Sequence, residues 1–96
     1  SNLHNTLNTM RNQSAGFHAL SEPIRLQIIE LLQGGSELCV SDIGSTLGIP
    51  QSKLSFHLKT LNQCGLVITR RHGRRIYYKL NISQFSQLEE YLSQVQ

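Results

Sequence analysis

Residues 50–64, PQSKLSFHLKTLNQC, hold a set of side chains with one shared chemistry. Gln51, Ser52, Lys53, Ser55, His57 and Lys59 can all donate hydrogen bonds, and none is an acid. Leu54, Leu58 and Leu61 recur at the spacing of an amphipathic helix, with Phe56 to one side. That pattern predicts the six donors on the opposite face. A helix that presents donors and cations without carboxylates suits contact with a polyanion. A plain solvated surface carries similar residue types, so the rest of the chain must decide between the two.

The charge distribution favours the polyanion. Net charge is only +3 over 96 residues, yet Lys53, Lys59, Arg70, Arg71, Arg74, Arg75 and Lys79 account for most of the basic residues and fall within one central stretch. The acids, Glu22, Glu30, Glu37, Asp42, Glu89 and Glu90, all lie outside it. An uncompensated basic segment of this kind is the electrostatic footprint of a nucleic-acid face. Arg70, Arg71, His72, Arg74 and Arg75 form its second cluster. Guanidiniums so close together repel one another unless phosphates supply the counter-charge.

Other chemistries find less support. Ser55 or Cys39 with His57 offers a nominal nucleophile and base, but Ser55 and His57 are two apart on a helix and do not face each other. Neither a glycine-rich phosphate loop nor a catalytic acid pair is present. This argues against an enzyme. No apolar run approaches the ~20 residues of a membrane span. Cys39 and Cys64 do not make a disulfide framework, and no secretory signal is visible, so a reducing cytoplasm is the expected compartment. His4 and His18 are too far apart to form an i, i+4 ligand pair.

The elements that position these groups follow from local signals. Leu3, Leu7, Met10 and Phe17 predict a first helix over 3–19. Ser21-Glu22-Pro23 is a helix start with Ser21 as the expected cap, and Ile24, Ile28, Leu31 and Leu32 form a core stripe stopped by Gly34-Gly35. Residues 37–40 are extended, and Ser41 is the expected cap of a two-turn helix that carries Ile43 and Leu47 and ends at Gly48. Two short helices joined through Gly48-Ile49-Pro50 make a helix-turn-helix. Residues 66–71 and 74–80 then alternate as strands around a two-residue turn at His72-Gly73. In that hairpin Val67 and Thr69 share a face with Ile76, Tyr78 and Leu80. A last helix over 83–95 carries Phe85, Leu88, Leu92 and Val95. The expected fold is one small domain spanning 1–96, mainly α with a small β-hairpin (α+β). It is a winged helix-turn-helix of about five helices with a two-stranded wing. Amphipathic helices at both ends suggest packing against a second copy.

The stretches LSEPIRLQIIELL, ELCVSDI, LGIPQSKLSFHLKTLNQCGLV and RRHGRRIYYKL, spanning roughly 20–81, resemble the ArsR/SmtB family of winged-helix repressors. The resemblance implies a DNA-binding repressor and a homodimer built from the terminal helices, with Leu3, Leu7, Met10, Phe85, Leu88 and Leu92 at the interface. It implies a double-stranded operator of inverted half-sites. Gln51, Ser52, Lys53, Ser55, His57 and Lys59 would meet the major groove, and Arg70, Arg71, His72, Arg74 and Arg75 of the wing would meet phosphates or the minor groove. Pro50 stands where the family often has a serine cap. The resemblance also implies release by a metal, metalloid or thiol-directed signal. Arsenic-sensing members carry Cys-Val-Cys where this chain has Cys39-Val40-Ser41. A trivalent metalloid such as arsenite or antimonite takes soft thiolate ligands, and a serine hydroxyl does not replace one. Four readings of Cys39 stay open: a small buried hydrophobe left from a vestigial metal site, one ligand of a site completed by the dimer mate or by residues outside this sequence, half of a redox pair with Cys64, or a neighbour of an engineered Ser41. The last helix has neither Asp nor His, so the zinc site of some members is not expected.

Overall fold

The computed structural model describes residues 2–95. Its helices are α1 (Asn2–Ala19), α2 (Pro23–Leu31), α3 (Val40–Leu47), α4 (Gln51–Gln63) and α5 (Ile82–Ser93). Its strands are β1 (Leu38–Cys39), β2 (Val67–His72) and β3 (Arg75–Leu80). The core fills the space where α2, α3 and α4 meet the root of the hairpin. Ile28, Leu32, Ile43, Leu54, Leu58, Leu61, Leu66 and Val67 are fully buried there. Each such side chain contributes about 1.5–3 kcal/mol relative to exposure.

Two helix starts differ from expectation. Pro23 occupies the opening of α2, so the cap falls on Glu22, whose backbone is extended and whose carboxylate accepts the Arg25 N–H at 3.1 Å. Ser21 instead donates its hydroxyl to the His18 carbonyl at the end of α1. α3 begins at Val40 with Cys39 at its cap, not Ser41, because pairing with Tyr77 holds Cys39 extended until the residue before the helix.

That pairing is also why the sheet has three strands, in the order β1-β3-β2, where two were expected. Leu38 and Cys39 add to the outer edge of β3, opposite Tyr78 and Tyr77. The hairpin closes at the pair His72–Arg75, so its turn is Gly73-Arg74 and not His72-Gly73. Gly73 has φ +63°, the left-handed value that a two-residue turn with glycine at its first central position requires. The register slides by two residues, so every side chain keeps its face. Val67, Thr69 and Arg71 lie opposite Leu80, Tyr78 and Ile76.

The turn between α3 and α4 is set by Gly44 and Gly48. Gly48 closes α3 in the left-handed conformation, and the Gly44 carbonyl accepts from both Gly48 N–H (2.8 Å) and Ile49 N–H (3.1 Å). A Cβ on Gly44 would sit 3.1 Å from the Ile49 carbonyl oxygen, so any side chain there forces the turn to give by a few tenths of an ångström. At the other side of the molecule, α5 packs on α1. Leu88 is buried against Gly16, and the Phe17 and Tyr91 rings meet with centroids 5.8 Å apart.

Candidate nucleic-acid interface

α4 buries Leu54, His57, Leu58 and Leu61 and exposes Gln51, Ser52, Lys53, Ser55, Phe56 and Lys59. Five of the six donors expected on the free face are therefore there. His57 is not. It lies three residues after Leu54 and four before Leu61, which puts it on the core stripe, and its residue exposure is only 9%. The same spacing was available in the sequence and identifies the position as internal. Phe56 takes the outward place instead, 57% exposed, with its ring edge-on to His57. Ser52, Ser55, Phe56 and Lys59 follow the i, i+3, i+4, i+7 pattern of one exposed stripe.

The interior position of His57 is satisfied by α2. The buried guanidinium of Arg25 approaches His57 Nδ1 at 3.1 Å and donates through Nε to the Ala19 carbonyl at 2.7 Å. Arginine can only donate, so Nδ1 accepts and the neutral ring carries its proton on Nε2. The Glu22 carboxylate stands 3.6 Å from the same Nδ1. Arg25 carries no role that its neighbours in sequence reveal, because nothing local connects it with a residue thirty-two positions away.

On the wing, Arg70, Arg71, His72, Arg74 and Arg75 are all exposed. Their environments differ. Arg70 donates twice to Glu37, at 2.8 and 3.1 Å, and its guanidinium lies 5.2 Å from the Tyr77 ring centroid. Lys79 stands 3.9 Å from the other Glu37 oxygen. The hairpin thus does have a counter-charge, supplied by the segment before β1. Arg70's hydrogen bond, reinforced by the attraction of Arg70 and Lys79, holds the Glu37 carboxyl below its ordinary range. A depressed carboxyl keeps its ion pair at neutral pH and loses it only as pH falls through the folded-state value. Among the described residues, Lys53, Lys59, Arg71, Arg74 and Arg75 have no carboxylate within ion-pair distance.

Recognition helix and wing share one side of the molecule. Ser55 of α4 lines a hollow with Arg74, Arg75, Ile76 and Tyr78 of the wing and with Cys39, Val40 and Ser41 at the start of α3. Cys39 Sγ donates to Asp42 Oδ2 at 3.0 Å, lies 3.2 Å from Ser41 Oγ, and has Arg75 Nη1 at 4.0 Å. One thiol, one carboxylate and one hydroxyl beside a cation do not fit a trivalent metalloid, which takes thiolates. Further sulfurs would have to come from elsewhere. Cys64 does not supply one at this point: its thiol donates to the Leu61 carbonyl and lines a different hollow, with His18, Thr60 and Gln63. Among the described residues no group of three or more His, Cys, Asp and Glu is placed to hold a metal ion.

A hairpin wing beside an exposed, acid-free second helix of a helix-turn-helix defines a winged-helix DNA-binding protein. The description "Bacterial regulatory protein, arsR family" matches residues 22–69. The chain is 38% identical over 65 residues to the transcriptional repressor SdpR of Bacillus subtilis, a match covering 68% of this chain and 71% of that one. It is also 38% identical over 65 residues to the arsenical resistance operon repressor of Escherichia coli, where the match spans 68% of this chain but only 56% of the relative. Among solved structures, an ArsR-like transcriptional regulator from Rhodococcus sp. RHA1 superposes with a TM-score of 0.83 at 26% identity, covering 92% of this chain and 82% of that one. The chain belongs to the arsR family, a family of DNA-binding transcriptional regulators and not of enzymes. No described helix is long and apolar enough to cross a membrane.

Proposed function

We propose that this chain is a repressor that acts in the cytoplasm as a homodimer, each copy placing α4 in the major groove of one half-site of an inverted operator. The observation that carries this reading is the shared side: Ser55 of α4 and the unpaired Arg74 and Arg75 of the wing face one hollow, so helix and ribbon can engage one duplex together. Gln51, Ser52, Lys53 and Ser55, at the N-terminal end of α4, are the base-reading set, with Gln51 suited to adenine and Lys53 to guanine. Phe56 adds an apolar contact of the kind that thymine methyl groups receive. Lys59, Arg71, His72, Arg74 and Arg75 are the phosphate and minor-groove set. Arg70 is a weaker member of it, being already engaged by Glu37.

For the dimer, Leu3, Leu7, Met10 and Leu92 are exposed on α1 and α5, together with Tyr91 and Val95. Unpartnered apolar residues along two adjacent helices support an interface there. Leu88 is not part of it. It is 3% exposed and fills the α1–α5 contact inside one copy, and Phe85 is half-buried against the core. The release signal is best read as thiol-directed at Cys39, whose sulfur touches both Asp42 in the first turn of α3 and a wing arginine. The test is selection of a duplex from a random pool, followed by anisotropy titration with competitor DNA and sedimentation of the complex. A two-to-one complex on a palindromic sequence is the expected result. A monomer that shows no preference among duplexes overturns the reading.

A further inference from the structure

Among the described residues, Arg25 and His57 are buried charged or polar side chains, and with the half-buried Glu22 they form a cluster that the DNA face leaves unused and that touches the recognition helix directly. We propose that His57 is a positioning residue for α4, and that its neutral form is the DNA-binding form, so that acid weakens operator binding through this single side chain. The proposal rests on the DNA-binding reading above and adds its regulation.

Arg25 is anchored at both ends. Its Nε donates to the Ala19 carbonyl at the end of α1, and its Nη1 donates to His57 Nδ1 in the middle of α4. One buried guanidinium thereby ties the recognition helix to the α1–α2 corner. The tie needs a lone pair on Nδ1, which only the neutral ring has. Protonation removes that acceptor and leaves an imidazolium against a guanidinium, a contact that must open. An acceptor for the new N–H stands nearby: the Glu22 carboxylate oxygen Oε2 lies 3.6 Å from Nδ1. The same oxygen caps α2 through the Arg25 N–H. Protonation therefore exchanges one partner of α4 for another, draws the ring from Arg25 toward Glu22 and disturbs the α2 cap. Gln51, Ser52, Lys53, Ser55 and Phe56 sit within two turns of the ring, on the same rigid helix.

Other titratable groups around α4 are engaged or distant from this contact. Asp42, the one ionisable side chain of α3, accepts from Cys39. Arg70, the first charged residue of β2, is held by Glu37. On α1, His18 lines the separate hollow near Cys64, at the far end of α4. His72 lies on the exposed wing, away from this contact, and any positive charge there would strengthen attraction to DNA, the opposite sign.

The test compares DNA affinity between about pH 5 and 8, the window in which imidazoles ordinarily titrate, for the wild-type chain, His57→Asn and His57→Gln. Asn carries an acceptor near the place of Nδ1 and does not titrate; Gln places its acceptor one carbon further out. Relative to His57→Asn, wild-type affinity should fall on the order of tenfold across the window, as expected for losing a hydrogen bond to a charged group. His57→Asn should match the wild type at the alkaline end, and His57→Gln should not. Parallel pH profiles for wild type and His57→Asn overturn the proposal. A proton–nitrogen NMR titration of the free protein is the second readout. Amide shifts over α4 should follow the His57 imidazole, and shifts that do not follow it overturn the proposal without reference to DNA. Wild-type protein that binds no duplex at any pH refutes the DNA reading instead, and the NMR titration then decides on the positioning role.

Discussion

Removing Arg70 and removing Arg74 should affect DNA binding differently, although both are exposed arginines near one hairpin tip. The quantity that separates them is the salt dependence of affinity. Each phosphate neutralised contributes about −0.9 to the slope of log affinity against log salt. In a two-copy complex one residue acts twice, so losing a free cation should flatten the slope by about 1.8. Lys53, Lys59, Arg71, Arg74 and Arg75, the DNA-face cations that have no carboxylate partner among the described residues, set an upper limit of about −9 for two copies. Arg74→Ala should therefore flatten the slope by the full amount. Arg70→Ala should change it little, because Glu37 at 2.8 Å already supplies the counter-charge. Glu37→Gln gives the converse test: it frees Arg70 and Lys79, and should steepen the slope by up to about 1.8 for each cation released. The assay is anisotropy of a labelled, selected duplex over a series of KCl concentrations at fixed pH. Equal flattening by Arg70→Ala and Arg74→Ala, or an unchanged slope for Glu37→Gln, would refute the assignment of Glu37 as the wing's own counter-ion.

Three further substitutions probe other parts of the reading. Phe56→Ala should leave stability nearly unchanged, since the ring is 57% exposed, and should weaken the preferred duplex by about 1–3 kcal/mol while binding to random duplex stays constant; competition titrations with thymine-to-uracil duplexes check whether the lost contact was to a methyl group. Leu92→Glu and Leu7→Glu should yield monomers in sedimentation whose thermal midpoint no longer depends on protein concentration, whereas Leu88→Ala, inside the α1–α5 contact, should cost about 2–5 kcal/mol in denaturant unfolding. Gly44→Ala should lose about 1–3 kcal/mol of stability and disproportionately more DNA affinity, because the new Cβ presses on the Ile49 carbonyl that leads into α4; a variant with full affinity would show that the turn can relax without moving the helix.

Local patterning accounts for much of this molecule. The apolar stripe of α4, the core stripe of α2, the stop at Gly48 and the alternation of the hairpin all follow from spacing and residue type, because helix and strand periods are properties of neighbours. What local patterning misses is pairing at a distance. Glu37 meets Arg70, and Arg25 meets His57, across more than thirty positions in each case. No period links such residues, and a count of charges along the chain treats Arg70 as free when the fold has already neutralised it. The same holds for β1. Residues 37–40 read as extended from the sequence, but the piece becomes a strand only because β3 offers an open edge. His57 is a different kind of miss: its position was legible from its spacing to Leu54 and Leu61, but its polarity argued for the surface. Burial went to the geometry because Arg25 was there to satisfy the ring.

The distant pairing of β1 also brings a cysteine to the edge of the DNA face. β1 fastens the start of α3 to β3, so Cys39 is at once the cap of α3 and the sheet partner of Tyr77. Its sulfur lies between Asp42 on the helix and Arg75 on the wing. The thiol donates to the carboxylate, and a change that removes its proton or adds bulk must disturb that bond, the arginine contact, or both. Cys39→Ser keeps a small donor in place, so it should bind DNA with nearly wild-type affinity and stop responding to a thiol-directed reagent such as a maleimide or an organic peroxide. Release of DNA from Cys39→Ser at the same reagent concentration as the wild type would move the sensing chemistry to Cys64. Its hollow lies against α1 and the far end of α4, so a signal received there would reach the DNA face through the recognition helix and not through the wing.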